Sequence, residues 1–163
     1  EAGTEDEVCD VANDNAPGQV VVSGSTTAIE RAVEIGAERG AKRSVMLPVS
    51  APFHCALMQP AADAIEKALA ETTIAPPSVP IIANVSADEV RDPETIRTNL
   101  VSQVTARVRW RESVVCLKKK GVDTLVEAGA GKVLSGLARR IDRELSSTSI
   151  QGYEDIEAFL GSL

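Results

Sequence analysis

The chain has 163 residues, with 17 Lys and Arg against 24 Asp and Glu, one His, three Cys and a net charge of −7. That length suits one domain, or one plus part of another, and a composition of 44% hydrophobic and 25% charged residues excludes low-complexity disorder for the body of the chain. The acidic balance argues against a general nucleic-acid binder, which needs clustered Lys and Arg to release counterions; no apolar run approaches the ~20 residues that span a bilayer, and no signal-peptide pattern opens the chain.

The first residue is Glu1, followed by an acidic, polar stretch to Glu7. A processed protein could begin this way, and so could a fragment of a longer one. Val8 to Val11 has little pattern, and Asn13-Asp-Asn-Ala-Pro-Gly18 is a dense turn cluster. Gln19 to Ser23 reads as a short buried strand ended by Gly24. Thr27-Ala-Ile-Glu30 matches a capping box, and Ile29, Ala32, Val33 and Ala37 follow at helical spacing up to a Gly40 stop. Lys42 to Val49 alternates like a strand, with Pro48 marking its end or a sheet edge.

Ser50 to Cys55 reads as a loop. Pro60 suits the first turn of a helix whose apolar stripe is Ala61, Ala64, Ile65, Ala68 and Leu69. Pro76, Pro77 and Pro80 forbid helix, and Ile81 to Val85 reads as a buried strand. Asp92-Pro93 starts a helix with Ile96, Leu100 and Val101 on one face. Arg111 to Lys120 is a further helix stopped by Gly121, and Val122 to Ala128 a strand. Gly129-Ala-Gly-Lys132 then turns into a helix carrying Val133, Leu134, Leu137, Ile141 and Leu145. A short last helix holds Ile156, Phe159 and Leu160. Alternating strands and helices imply an α/β architecture with some parallel pairing.

Cys9, Cys55 and Cys116 are odd in number and widely spaced, so neither a disulfide framework nor a zinc site is expected. The expectation is small buried thiols in a reducing cytoplasm. His54 is the only histidine, in a loop between two regular elements, where rigid supports hold catalytic groups; imidazole is also the side chain best matched to proton transfer near neutral pH. Spacing alone does not separate that role from an exposed or satisfied histidine. Gly129 to Lys132 fails as a phosphate loop, because Val126 stands where its first Gly belongs and Val133 where its Ser or Thr belongs. Lys118, Lys119 and Lys120 close a helix, where positive charge complements the dipole. With Arg139, Arg140 and Arg143 they are either a solvated polar face or a docking point for an acidic partner. Asp10, Asp14 and Asp123 have no visible partner at a useful spacing.

Four ordered segments carry a resemblance: Asn13-Asp-Asn-Ala-Pro-Gly-Gln-Val-Val-Val-Ser-Gly24; Val49-Ser-Ala-Pro-Phe-His-Cys-Ala-Leu-Met58; Asn99-Leu-Val-Ser-Gln103 with Val108-Arg-Trp110; and Glu127-Ala-Gly-Ala-Gly-Lys-Val-Leu-Ser-Gly136. From about Cys9 to its end the chain resembles the malonyl-CoA:acyl carrier protein transacylases, acyltransferases of fatty acid biosynthesis. Ala130 stands where that family has Pro. The resemblance implies that a serine on a nucleophile elbow takes the malonyl group from CoA. His54 accepts the serine proton, and the main-chain carbonyl of Gln103 orients the imidazole. Phe53 is similar to the malonyl-selective version of the motif, and Asn15 lies near the substrate by the same resemblance. Malonyl-CoA and acyl carrier protein are then substrate and partner, with no metal or organic cofactor, and the location is cytoplasmic.

No Gly-x-Ser-x-Gly occurs in the 163 residues. The chain is therefore expected to be the C-terminal part of such an enzyme, inactive alone, with the missing N-terminal segment as a further partner. The resemblance implies residues 1–50 as part of a ferredoxin-like small subdomain. Residues 51–163 would be the C-terminal part of an α/β-hydrolase-like large subdomain. The alternative is a non-catalytic acyltransferase-like module that docks an acidic carrier protein through Lys118–Lys120 and Arg139–Arg143.

Overall fold

A computed structural model describes residues 2–4 and 7–162. Strand β1 (Cys9–Ala16) pairs antiparallel with β2 (Gln19–Gly24) around the tight turn Pro17–Gly18. The turn chemistry expected over 13–18 is thus confined to two residues, and Asn13 to Ala16 are strand. Gly18 has φ 72°, a left-handed conformation that glycine adopts without steric cost. Two register shifts interrupt β1, at Ala12 and at Asn15. Each bulge leaves one residue out of the ladder and re-aims its neighbours. β1 buries Ala12 and Ala16, whereas β2 is not the buried strand expected: Val20 and Val22 are exposed.

Helix α1 (Thr26–Glu38) begins two residues earlier than the capping-box reading, with Ser25 at the N-cap in place of Thr27. No side chain caps it; Thr27 instead donates its hydroxyl to Glu7. Lys42 to Val49 forms no strand. It runs exposed across the surface with Val45, Met46, Leu47 and Val49 all in solvent, because no second strand lies beside it to complete a ladder.

The loop of residues 50–55 leads through a 3-10 turn (Ala56–Met58) into α2 (Gln59–Ala70). The stripe expected to bury this helix is corrected: Ala62 is buried, whereas Ala64, Ile65 and Ala68 face solvent. Strands β3 (Ile81–Ala83) and β4 (Asp88–Val90) form a second antiparallel pair, shorter and less buried than the sequence suggests. Helix α3 (Pro93–Ser102) starts at Asp92, whose carboxylate accepts from the Thr95 amide at 2.8 Å. Helix α4 (Trp110–Lys119) precedes β5 (Thr124–Ala128). Helix α5 (Val133–Ile141) crosses over to β6 (Ser146–Ile150), which pairs parallel with β5, and α6 (Tyr153–Leu160) follows. The parallel pair gives the expected α/β character. β6 is all hydroxyl residues but one and carried no strand signal.

The core lies around α4, which packs on β1, β3 and α5. Val114 is fully buried there, with Leu137, Ala138 and Leu145 near it in accessibility, and the remaining core is mostly alanine. The accessible surface is 10671 Å², whereas a compact monomer of this mass has about 7,800 Å².

Candidate active site

His54 sits at the end of the loop that enters the 3-10 turn, half-buried, with φ 61°. A non-glycine residue in that left-handed region is uncommon and marks a position held by its surroundings. Two contacts hold it. The Cys55 thiol, fully buried, donates back to the Pro52 carbonyl at 3.1 Å and so closes the loop around His54. The Ala56 amide donates to the Asp10 carboxylate of β1 at 3.0 Å. Cys55 is the N-cap of the 3-10 turn but provides no side-chain cap. The carboxylate from β1 satisfies the orphan amide instead.

The imidazole Nδ1 lies 3.0 Å from the main-chain oxygen of Gln103. Gln103 is the C-cap of α3, where terminal carbonyls lack an intrahelical donor and are free to accept from elsewhere. A carbonyl can only accept, so Nδ1 carries the proton and the neutral ring keeps its lone pair on Nε2. The arrangement is therefore a proton acceptor of fixed tautomer, able to take a proton from a hydroxyl brought to Nε2. Phe53, next in the loop, is exposed, and Asn15 stands at the second bulge of β1.

Strand β1 also carries the segment that follows Gln103. The Val108 amide donates to the Ala12 carbonyl at 2.8 Å, and the Asp14 amide to the Val108 carbonyl at 2.9 Å. Asp14 then takes three contacts of 2.6 to 3.0 Å from the Arg111 guanidinium. That hydrogen bonding holds the Asp14 carboxyl below its usual range despite partial burial, and raises Arg111. Neither aspartate showed a partner in the sequence. The link from Asp10 spans 46 residues and that from Asp14 spans 97, beyond the reach of any local pattern.

The basic residues divide. Lys118 pairs with Glu144 at 3.3 Å and Lys120 with Glu89 at 2.8 Å, while Lys119 lines a surface cavity of about 320 Å³ with Arg109, Arg111 and Cys116. Arg139, Arg140 and Arg143 line a second, about 570 Å³, and Arg140 also donates to the Gln19 side chain. Neither cavity is lined by His54. At the glycine turn, the Glu127 carboxylate accepts from the Leu134 amide at 3.0 Å and from the Ser135 amide and hydroxyl at 2.8 and 2.7 Å. The chain's own carboxylate thus occupies the amides of α5 to which a phosphate would bind. Among the described residues no group of three or more His, Cys, Asp or Glu side chains is placed to hold a metal ion, and the three cysteines are free.

No family model matches the chain. It is 42% identical over 153 residues to the malonyl CoA-acyl carrier protein transacylase of Bacillus subtilis, covering 94% of this chain and 48% of that protein. The acyl-carrier-protein-S-malonyltransferase of Bartonella henselae superposes with a TM-score of 0.90 at 53% identity, covering 95% of this chain and 49% of that one. A malonyl-transacylase solved in complex with a type II PKS acyl-carrier protein gives a TM-score of 0.93 at 38% identity, covering 98% and 52%. The chain spans about half the length of the curated relatives it matches. Its mixed α/β fold is that of the corresponding half of these enzymes, part α/β-hydrolase-like and part ferredoxin-like. By sequence and by fold, the chain belongs to the malonyl CoA-acyl carrier protein transacylase family and represents about half of such a protein.

Proposed function

We propose that this chain supplies the proton-accepting half of an acyl carrier protein S-malonyltransferase. In the whole enzyme a serine outside these 163 residues attacks the thioester carbonyl of malonyl-CoA while His54 Nε2 takes its proton. The thiolate of CoA leaves with a proton returned by His54, and the malonyl group rests as a serine ester. The phosphopantetheine thiol of acyl carrier protein then gives its proton to His54, attacks that ester and leaves as malonyl thioester, restoring the serine hydroxyl. Gln103 is a positioning residue that fixes the tautomer through its carbonyl. Phe53 borders the acyl group and Asn15 the substrate.

The observation that carries this reading is the 3.0 Å contact between Nδ1 and the Gln103 oxygen, made by a histidine with strained backbone. It is the geometry of an activated-hydroxyl couple with one member absent. Acyl carrier protein as partner is supported by the related transacylase solved with its carrier. The Arg139, Arg140 and Arg143 cluster and Lys119 offer it positive charge, with Lys118 and Lys120 at the margin. The chemistry uses CoA thioesters with no metal or organic cofactor, and the setting is the cytoplasm; no helix among the described residues is long and apolar enough to cross a membrane. Residues 1–50 are assigned to the small subdomain and 51–163 to the large one.

Malonyl transfer from CoA to carrier protein tests the assignment. The full-length enzyme turns over, its His54→Ala variant loses at least ~10³-fold in kcat, and the 163-residue chain alone shows no turnover above a His54→Ala control. Undiminished activity of the His54→Ala enzyme would refute the role of His54.

A further inference from the structure

We propose that Asp10 is a positioning residue for the His54 imidazole, acting through the Ala56 amide; this rests on the reading of His54 as the proton acceptor. His54 and Gln103 belong to segments 49 residues apart, joined by their own hydrogen bond and by the packing of α2 on α3. Strand β1 touches both segments. At one end the Asp10 carboxylate accepts from Ala56 N–H, two residues past His54. Further along, the Ala12 carbonyl and Asp14 amide bond both polar groups of Val108, five residues past Gln103. The bulge at Ala12 makes this possible, since it takes that residue out of register with β2 and frees its carbonyl.

β1 is thus a common ruler for the two halves of the proton-accepting pair, and Asp10 supplies its side-chain hydrogen bond to the histidine loop. The carboxylate does chemical work as a cap. Cys55 stands at the N-cap with φ −142° and ψ 173° but offers no acceptor, its thiol being turned to Pro52. A carboxylate at a helical N-terminus is favoured by both the free amide and the dipole. Without it, the turn that leaves His54 with φ 61° loses its tie to β1 and keeps the thiol contact and its own short-range main-chain bonds. The left-handed residue would then relax, swinging the ring off the Gln103 oxygen. Misplacement of a reacting group by about 1 Å can cost ~100-fold in rate.

The test uses the full-length transacylase that contains this sequence. Asp10→Ala is expected to lower kcat about tenfold while leaving KM for malonyl-CoA within about twofold, the mark of lost orientation rather than lost binding. Asp10→Asn, which keeps an oxygen facing the amide, is expected to retain at least about half of kcat. Ala56→Pro removes the donor from the other side of the same bond. Proline suits a first helical position, and the extended Cys55 is compatible with a following proline. This variant should reproduce the Asp10→Ala loss, and the double variant should lose no more than either alone. Nitrogen-15 spectra of the imidazole, assigned by difference against His54→Ala, should show the single Nδ1–H tautomer giving way to a mixture in Asp10→Ala and Ala56→Pro. Wild-type kcat in Asp10→Ala or in Ala56→Pro, with His54→Ala inactive, overturns the role of Asp10. So does equal loss in Asp10→Asn and Asp10→Ala. An active His54→Ala enzyme overturns instead the reading on which it rests.

Discussion

Asp14 and Arg111 join the N-terminal hairpin to the start of α4 by a two-pronged contact across 97 residues of sequence. The arginine takes both carboxylate oxygens, a geometry that lysine could not match. Its neighbours Arg107 and Arg109 both reach Glu112, so the entry to α4 is a small ion-pair network rather than one bridge. Hydrogen bonding from Arg111, then its charge, lowers the Asp14 pKa against the opposing effect of desolvation.

That lowering fixes a pH dependence. A carboxylate whose folded pKa lies below its unfolded value of about 3.9 adds stability that is complete above that value and is lost as pH falls through the folded pKa. Asp14→Asn is therefore expected to lower the melting temperature by roughly 3–5 °C at pH 7 and by progressively less below pH 4. Calorimetric melts of the full-length enzyme from pH 7 to pH 3 check this. A deficit that stays constant across the range would mean that the contact contributes through packing and not through charge.

Glu127 is a helix cap disguised as part of a glycine turn. Its carboxylate is held below the usual range first by the Ser135 amide, then by the Ser135 hydroxyl, with desolvation opposing. The sign is the same as for Asp14: the contribution is present at neutral pH and disappears as acid protonates the folded form. Glu127→Gln is expected to speed amide exchange of Leu134 and Ser135 several-fold at pH 7, with little difference from wild type once the carboxylate of the latter is protonated. Inorganic phosphate at millimolar concentration should leave these amide signals unmoved in the wild-type protein, since the site is already filled by a carboxylate.

What could be read from the chain was what is decided locally. Asp92-Pro93 starts α3 and Gly121 follows α4 because caps and stops act within one turn. The His54 loop was legible because Pro52 and Pro60 confine it. The pieces that failed depend on partners far away. Residues 42–49 have a strand's alternation but no neighbouring strand, and Ser146 to Ile150 has almost no apolar residue yet pairs with β5. The apolar stripe of α2 is right as a pattern and wrong as a burial, for helical spacing does not say which face a neighbour covers, and Ala64, Ile65 and Ala68 are exposed. Asp10 and Asp14 show no partner in the sequence because each meets an amide or a guanidinium that only the fold brings near; Glu127 stands out only as part of a resembling segment, and its capping of α5 is visible only in the fold. Gln103, by contrast, came from the resemblance and not from any physical feature of its segment.

The two basic groups should differ as docking elements for the carrier. Lys118 and Lys120 already face Glu144 and Glu89, and the pairing with Glu89 is strong enough to raise Lys120 and lower Glu89. Arg139, Arg140 and Arg143 line an open cavity together. Reversing Arg139 and Arg140 to Glu is expected to raise KM for acyl carrier protein about three- to tenfold at low salt, and less at 0.5 M salt, through slower encounter. The Lys118→Glu and Lys120→Glu pair should have a smaller effect. Malonyl loading from CoA, measured without carrier, should be unchanged in all four, which separates docking from chemistry.

The excess of the 10671 Å² surface over that of a compact monomer is partly apolar: Val45, Met46, Leu47 and Val49 form one continuous exposed run, and Ile65, Val126, Val133 and Leu134 add to the apolar total. Monomeric proteins rarely leave patches beyond a few hundred Å² uncovered, and an exposed segment with a strand's alternation invites pairing with another chain. Produced by themselves, the 163 residues should bind an apolar dye such as ANS and self-associate at micromolar concentration in sedimentation velocity. The full-length enzyme should do neither to the same degree. Val45→Lys with Leu47→Lys, both on the exposed run, should restore a monomer while leaving the dye bound elsewhere. A monomeric wild-type chain that binds no dye would show that these faces close on one another in solution, and that the 163 residues are a self-sufficient fold.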